Sequence, residues 1–187
     1  MRLFTAVLPP ESAAAELARS VDRVRALPGA DRLRWTDRAG WHLTLAFLGE
    51  VPDEMLPALY ECLERAARRT APFPLALHGG GRFGDRALWA GAAGDVAALR
   101  TLARRAEAAA REAGVVLREE RAYRAHLTLA RGRGEVDLRP FAAGLAAFAG
   151  EEWGVDRMVL VRSHLGAGAR PRYEPLHAWP LAGGARG

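Results

Sequence analysis

Apolar runs and helical periodicity alternate along the first part of the chain. Residues 2–8 form a short apolar run that predicts a β-strand, and residues 9–27 predict an amphipathic helix. The helical stripe consists of Ala14, Leu17, Val21 and Val24. A loop and a short segment ending at Trp35 lead to a turn, and residues 41–48 predict the next strand.

The middle of the chain predicts a second helix over residues 52–69, followed by two strands over 73–79 and 86–92. The glycine-rich segment GGGRFGD, residues 79–85, separates these strands. A phosphate-binding loop would end in Gly-Lys-Ser/Thr, which this segment lacks. We therefore interpret it as a hairpin turn.

The second half repeats the order of elements seen in the first. A long amphipathic helix that stops at Gly114 is followed by a polar connection, a strand, a short helix and two closing strands joined by a polar turn. These segments span residues 95–114, 115–125, 126–131, 137–149, 153–166 and 173–181, with the turn at 167–172. The repeated order predicts a duplicated α+β unit, which we expect to form one bilobal domain over residues 1–187.

Composition changes this picture little. All 27 basic residues are arginine, and the formal net charge is +5 at pH 7. The arginine bias either reflects the base composition of the genome or serves phosphate recognition, because guanidinium groups make two-point contacts with phosphate oxygens. Cys62 is the single cysteine, and its helical apolar surroundings predict a core residue.

The apolar run at the amino terminus is too short for a signal sequence or for a membrane span. We therefore expect a soluble, cytoplasmic protein that does not associate with membranes.

The pentapeptide HLTLA occurs twice, at residues 42–46 and 126–130, each time beginning with one of only five histidines. Side chains alternate between the two faces of a strand. In the first copy this alternation predicts that Leu43, Leu45 and Phe47 face the core, with His42 and Thr44 on the opposite face.

The second copy follows the same rule. Leu127 and Leu129 are predicted to face the core, while His126 and Thr128 share the other face with the small residue that ends the pentapeptide. Each copy therefore presents one imidazole and one hydroxyl together, beside a small residue that leaves room for a ligand.

Two such faces, opposed across a cleft, suit displacement at phosphorus. One imidazole can take a proton from the attacking oxygen while the other gives a proton to the leaving oxygen. A pKa near ~6.5 allows either protonation state of histidine at neutral pH. The two threonine hydroxyls can donate to the non-bridging oxygens, where charge accumulates in the transition state. This scheme requires no metal and no cofactor.

The paired HLTL segments resemble the HxTx signatures of the 2H phosphoesterases, and the chain is most similar to the RNA 2′,3′-cyclic phosphodiesterases, also called 2′-5′ RNA ligases. The similarity extends over nearly the whole chain, in the order RLFTAVLPP, WHLTLAFLGEV, YRAHLTLARGR, VLVRSHLG and YEPLHAWPL. It implies an α+β fold of two pseudo-symmetric lobes. Each lobe is then an antiparallel sheet with helices packed outside, around a central cleft.

The resemblance also implies a reaction and a set of site residues. Metal-independent hydrolysis of a terminal 2′,3′-cyclic phosphate to a 2′-phosphomonoester would use His42 as general acid and His126 as general base. Thr44 and Thr128 would hold the phosphate oxygens, and Arg131 resembles the arginine that contacts phosphate. The residues by themselves do not say which imidazole is the acid. The reverse reaction would join RNA ends through a 2′-5′ linkage.

Strict alternation, however, places Arg131 on the face opposite His126. The strand must therefore end or twist near this residue, or the arginine side chain must curl back. Gly132 and Gly134 offer such an ending.

Other residues are assigned smaller roles. We interpret three histidines without an HxT pattern as structural or surface residues: His78, His164 and His177. A base-stacking platform is to be sought among the aromatic residues Trp35, Trp41, Phe83, Tyr123 and Trp153. The candidates for contacts with the RNA backbone are Arg34, Arg121 and Arg124.

Three functions remain open on the residues alone. The first is action on an RNA 3′ end that carries a cyclic phosphate, and the second is the same chemistry on small cyclic nucleotides or 2′-5′ oligonucleotides. The third is a non-catalytic module that binds nucleotides or RNA. No obligate protein partner is implied by any of them.

Overall fold

Two antiparallel sheets, each covered by helices on one face, make up the computed structural model, which describes residues 1–118, 122–166 and 170–183. The helices are α1 (Glu11–Arg25), α2 (Leu56–Arg68), α3 (Val96–Glu112) and α4 (Arg139–Leu145). The strands are β1 (Arg2–Val7), β2 (Leu33–Trp35), β3 (Leu43–Glu50), β4 (Phe73–Phe83), β5 (Ala87–Gly94), β6 (Leu127–Gly132), β7 (Trp153–Val155), β8 (Arg157–His164) and β9 (Arg172–Pro180). The predicted α+β fold class is confirmed.

The two sheets each contain one of the repeated pentapeptides. The first sheet has the strand order β3-β1-β8-β9, and the second has the order β2-β6-β5-β4-β7. The first HLTLA segment runs into β3, and the second runs into β6. Every strand pairing within the two sheets is antiparallel.

The sheets do not correspond to the two halves of the sequence. Helix α1 follows β1 of the first sheet but packs against α4 and β4, whereas α3 connects β5 to β6 of the second sheet but packs against α2 and β3. Strand β3 pairs with one edge of β1, and β8 pairs with the other edge. The carboxyl-terminal strands β8 and β9 therefore extend the first sheet. The chain therefore crosses between the sheets several times.

Apolar side chains between helices and sheets form one continuous core cluster that includes residues of both sheets. The predicted stripe of α1 is confirmed, since all four of its residues are buried. Cys62 is also buried, as predicted, on the inner face of α2. Among the described residues, none of the helices has both the length and the apolar composition that crossing a membrane requires.

Two β-bulges interrupt the pairing of β3 with β1, at Leu45 and at Leu48, and the one at Leu45 lies within the motif. Thr5 pairs with Ala46 and the next residue of β1 pairs with Thr44, so Leu45 has no partner across the strands. Leu45 and Ala46 are consequently both buried. The predicted core position of Phe47 is wrong, because its side chain is 68% exposed and lies on the face that carries Thr44.

The same bulge occurs at the same position in β6. Leu88 pairs with Ala130 and the next residue of β5 pairs with Thr128, which leaves Leu129 unpaired. The bulge moves Arg131 to the face of Thr128 and removes the conflict in the strand alternation. The glycines that follow do not end the strand before Arg131, since β6 continues to Gly132.

The glycine-rich segment forms a hairpin, as predicted, but its turn is shorter than the glycines suggest. β4 continues to Phe83, and the turn begins at Gly84. Gly80 and Gly81 therefore lie within β4. A Cβ atom at these positions would come within 2.4 Å of Leu145 and of the Trp89 ring, respectively, so only glycine fits there. These glycines therefore serve close packing of neighbouring side chains.

Two predicted segments lie partly outside the described residues. In the polar connection over 115–125, residues 119–121 are not described, and the described remainder contains no strand. The polar turn predicted at 167–172 includes residues 167–169, which also lie outside the described part.

The difference in burial between the neighbouring residues Phe47 and Leu48 predicts unequal losses of stability when each side chain is removed. We expect Leu48→Ala to lower the free energy of unfolding by about 2–5 kcal/mol, because Leu48 is a fully buried core residue. We expect Phe47→Ala to change it by less than about 0.5 kcal/mol, as for a surface position. Urea unfolding of both variants measures the difference, and an equal loss in Phe47→Ala would place Phe47 in the core after all.

Candidate active site

His42 and His126 occupy equivalent positions, each immediately before the strand that contains its motif. The Nδ1 atom of His42 lies 2.7 Å from the carbonyl oxygen of Gly40, and that of His126 lies 2.7 Å from the carbonyl oxygen of Arg124. A carbonyl oxygen only accepts hydrogen bonds, so Nδ1 carries the proton in both rings. Nε2 of each ring is therefore the atom that can exchange a proton with a ligand.

Aromatic rings hold the His42 imidazole in place. The His42 ring centroid lies 4.7 Å from that of Phe4 and 5.0 Å from that of Tyr173, with Tyr173 edge-on. Phe4 and Tyr173 belong to a second, smaller apolar cluster on the open face of the first sheet. This packing restricts rotation of the imidazole once the Gly40 hydrogen bond has set its tautomer.

His126 has a similar aromatic support on the second sheet. Its ring centroid lies 4.9 Å from that of Phe83 and 6.3 Å from that of Trp89, both in edge-to-face geometry. Arg124 places its guanidinium 6.0 Å from the centroid of the Phe83 ring. The two sheets thus present the same arrangement, an imidazole supported by two aromatic rings.

The two imidazoles lie near each other and near Arg131. The pKa of His42 is lowered, and burial is the largest cause. The Gly40 hydrogen bond raises this pKa, and the charges of His126 and Arg131 lower it further. Burial is also the largest cause of the lowered pKa of His126, with smaller contributions from Arg131 and Arg124. Because the charge of Arg131 acts on both rings, the structure places Arg131 within electrostatic range of both imidazoles.

The two threonines lie on the same faces as the imidazoles. Thr44 and Thr128 are half-buried, and in the described part of the chain neither hydroxyl makes a hydrogen bond. Both hydroxyls can therefore donate to a bound anion. Arg131 is exposed on the same face as Thr128, between Ala87 of β5 and Arg34 of β2.

Tyr123 connects the two motifs directly. Its hydroxyl donates a hydrogen bond to the carbonyl oxygen of Thr44 at 3.1 Å, across 79 residues of sequence. Burial raises the pKa of Tyr123, so the hydroxyl keeps its proton and remains a donor. This bond ties the segment that leads into His126 to the strand that follows His42.

The remaining aromatic candidates divide into residues beside the motif strands and residues of the core. Phe83 and Tyr123 lie at the site, whereas Trp35 and Trp41 are buried and donate their indole N–H groups to backbone carbonyls. Trp153 is half-buried and packs against the main core.

The three histidines that we set aside lie outside the site. His78 is exposed on β4, His164 contacts Glu174 at 2.6 Å, and His177 packs against Tyr60 and Trp179. Of the arginine candidates, Arg34 and Arg124 are exposed next to the site, and Arg121 lies outside the described residues.

Four further aromatic residues lie on the faces of the two imidazoles and were not among the sequence candidates: Phe4, Phe47, Trp89 and Tyr173. Five of the six residues of β1 are buried, so its sequence shows little alternation that would separate a cleft face from a core face. Phe47 could have been found by aligning the two repeats, because it occupies the position of Arg131. In the described part of the chain, no three His, Cys, Asp or Glu side chains are grouped as metal ligands would be.

Comparison with known proteins decides the family. The model of the family described as LigT-like phosphoesterase matches residues 7–90. An RNA 2′,3′-cyclic phosphodiesterase of Thermus thermophilus is 34% identical over 192 residues, covering 98% of this chain and 91% of that protein. The chain belongs to the LigT-like phosphoesterase family. The family predicted from the paired motifs is thereby confirmed, and with it the class of enzyme.

A further relative and two solved structures agree with this assignment. An RNA 2′,3′-cyclic phosphodiesterase of Geobacillus stearothermophilus is 35% identical over 158 residues, which are 82% of this chain but only 49% of that protein. A crystal structure of a Thermus thermophilus protein has a TM-score of 0.80 at 31% identity, over 98% of this chain and 99% of the other. A structure of E. coli LigT complexed with 3′-AMP has a TM-score of 0.74 at 27% identity, over 96% of each chain.

The Tyr123 hydrogen bond predicts a measurable contribution to stability. We expect Tyr123→Phe to lower the free energy of unfolding by about 0.5–1.5 kcal/mol, because it removes one half-buried hydrogen bond between the motifs. Tyr60→Phe is the matched control, since the Tyr60 hydroxyl makes no hydrogen bond within the described residues. Equal unfolding midpoints in urea for Tyr123→Phe and the control would show that this bond stabilises nothing.

Proposed function

We propose that this LigT-like phosphoesterase hydrolyses the terminal 2′,3′-cyclic phosphate of RNA to a 2′-phosphomonoester. The observation that supports this proposal is the pair of imidazoles. In each ring Nδ1 is hydrogen-bonded to a backbone carbonyl, and Nε2 is left for proton exchange. The charge of Arg131 lowers the pKa of both rings. A reaction that needs one acid and one base on opposite sides of phosphorus uses this arrangement directly.

The proposed reaction is a single displacement. Nε2 of neutral His126 takes a proton from water, whose oxygen forms a bond to phosphorus. The bond between phosphorus and the 3′ oxygen breaks on the opposite side, and Nε2–H of protonated His42 donates its proton to the departing 3′ oxygen. The product carries a 3′ hydroxyl and a 2′ phosphate. The assignment of acid and base follows the family resemblance, since the surroundings of the two rings are nearly equivalent.

Charge on the phosphate is stabilised by groups already in position. The hydroxyls of Thr44 and Thr128 donate to the non-bridging oxygens, and Arg131 supplies the compensating positive charge. Such donors act without reorganisation because the strands fix their positions. The scheme therefore proceeds without a metal ion.

Two comparisons support a nucleotide substrate. The relatives from Thermus and Geobacillus are named RNA 2′,3′-cyclic phosphodiesterases, and E. coli LigT is complexed with 3′-AMP in one crystal structure. The chain spans about half the length of the Geobacillus relative, so the substrate is proposed from the site as well as from these names.

Phe47 supplies a surface for the terminal base. It is exposed on the cleft face, its ring centroid 6.2 Å from that of Phe4, and the bulge in β3 turns it towards the side that carries His42. A base stacked on an aromatic ring is bound without regard to its identity. We propose that the terminal base lies on Phe47 while its cyclic phosphate lies between the imidazoles.

The same site would run the reaction in reverse at a high concentration of RNA ends, forming a 2′-5′ linkage. Cytoplasmic location and the lack of an obligate protein partner remain predictions.

Removal of either imidazole tests the proposal. We expect His42→Ala and His126→Ala each to reduce kcat/KM for an oligoribonucleotide with a 2′,3′-cyclic phosphate end by about 10²–10⁴-fold or more, because each removes one proton transfer. The matched control is His177→Ala. His177 lies next to Tyr60 on the helix-covered side of its sheet, so this variant should retain activity. Circular dichroism checks folding, and phosphorus NMR should show a 2′-phosphomonoester as product.

Two outcomes would contradict this proposal. Activity like that of the unmodified protein in either cleft variant would remove that imidazole from the mechanism. Strong inhibition of the unmodified protein by EDTA would require a metal ion that the scheme does not include.

The lowered pKa values predict the pH dependence. The base must be deprotonated and the acid protonated, and both free-enzyme pKa values lie below 6.5. The bell-shaped profile of kcat/KM should therefore have its maximum below pH 6.5. A bound phosphate anion raises both pKa values, so the maximum of kcat should lie at a higher pH. Coincident maxima, or a kcat/KM maximum above pH 7, would be inconsistent with these two groups.

A further inference from the structure

Two arginines lie directly opposite each other on neighbouring strands of the second sheet. Arg34 of β2 pairs with Arg131 of β6. Leu33 and Trp35, on either side of Arg34, are buried, so the exposed Arg34 side chain leaves the sheet on the face away from the core. Residues that are paired across strands share a face, which places Arg34 beside Arg131 on the face of the second sheet that carries Thr128.

Like charges in this position oppose folding unless an anion lies between them. Within the described residues, neither Arg34 nor Arg131 contacts a carboxylate that would offset this repulsion, as Glu11 does for Arg38 and Glu112 does for Arg65. The protein thus keeps two adjacent guanidinium groups available on the surface where we propose that phosphate binds.

The two arginines lie at different distances from the imidazoles. Arg131 lowers the pKa of both His42 and His126, whereas Arg34 is not among the charges that shift either value. β2 is also the edge strand of its sheet, outside β6. Arg34 is therefore the outer member of the pair, one strand further from the reacting phosphate.

We propose that Arg34 binds a second phosphate, the one on the 5′ side of the terminal nucleotide, while Arg131 contacts the cyclic phosphate. The inference rests on the proposed function and makes it more specific: the substrate class is a nucleotide 3′ end that carries a 5′ phosphate or phosphodiester. Cα atoms of opposed residues are about 5 Å apart, and two long side chains from such positions can hold two consecutive phosphates of one strand.

Three substrates separate the added phosphate from the added nucleoside. They are adenosine 2′,3′-cyclic phosphate, the same compound with a 5′ phosphate, and the dinucleotide ApA with a 2′,3′-cyclic phosphate end. In the unmodified protein, we expect the second and third to exceed the first in kcat/KM by about tenfold, the effect of one charge-assisted phosphate contact.

Arg34→Ala should remove this preference and leave the rate on adenosine 2′,3′-cyclic phosphate unchanged, which also shows that the variant is folded. The matched control is Arg104→Ala, which removes the same charge from the exposed side of α3 and should keep the preference. The dependence of log kcat/KM on log salt for the dinucleotide should become shallower by about 0.7 in Arg34→Ala alone.

The outcomes distinguish this inference from the proposed function. No hydrolysis of any of the three substrates by the unmodified protein would refute the proposed function itself. Hydrolysis without a preference for the 5′-phosphorylated substrates, or a preference that survives in Arg34→Ala, would overturn the role of Arg34 alone. An equal loss on all three substrates would also overturn it, because Arg34 would then act on the cyclic phosphate.

Discussion

The unpaired leucine that follows the threonine of each motif determines which larger side chain shares the face of the imidazole and the hydroxyl. Leu45 in β3 and Leu129 in β6 are both buried and both unpaired across their strands, so the residue two positions later changes face. Without these bulges, Phe47 and Arg131 would lie on the core side of their strands. With them, each sheet presents an imidazole, a hydroxyl and one larger group on the same surface.

The equivalence of the two strands is geometric, and their chemistry diverges at the position after the pentapeptide. The first sheet carries a phenyl ring there, and the second carries a guanidinium. A nucleotide has a base and a phosphate that need these two different partners. Under the proposed function, two similar strands that differ at this position therefore provide an asymmetric site on a nearly symmetric frame.

The alternation of side chains along a strand can be predicted without knowing which strand pairs with it. Much of the candidate site was therefore predictable from the sequence. The shared face of His42 and Thr44, and that of His126 and Thr128, was predictable from spacing alone. A bulge was not, because it exists only relative to the neighbouring strand. The glycine-rich hairpin shows the same limit, since Gly80 and Gly81 are explained by the Leu145 and Trp89 side chains that pack against them. The aromatic supports of the imidazoles come from four different strands, whose meeting depends on the crossing of the chain between sheets.

The proposed function requires that the two imidazoles bind one phosphate between them. The most direct measurement is an NMR titration of ¹⁵N-labelled histidine side chains in the free protein and in the presence of adenosine 2′-phosphate. We expect His42 and His126 both to have a pKa below 6.5 in the free protein and to carry the proton of the neutral ring on Nδ1. Both pKa values should rise when the nucleotide binds. A shift of only one imidazole, or of neither, would contradict this requirement.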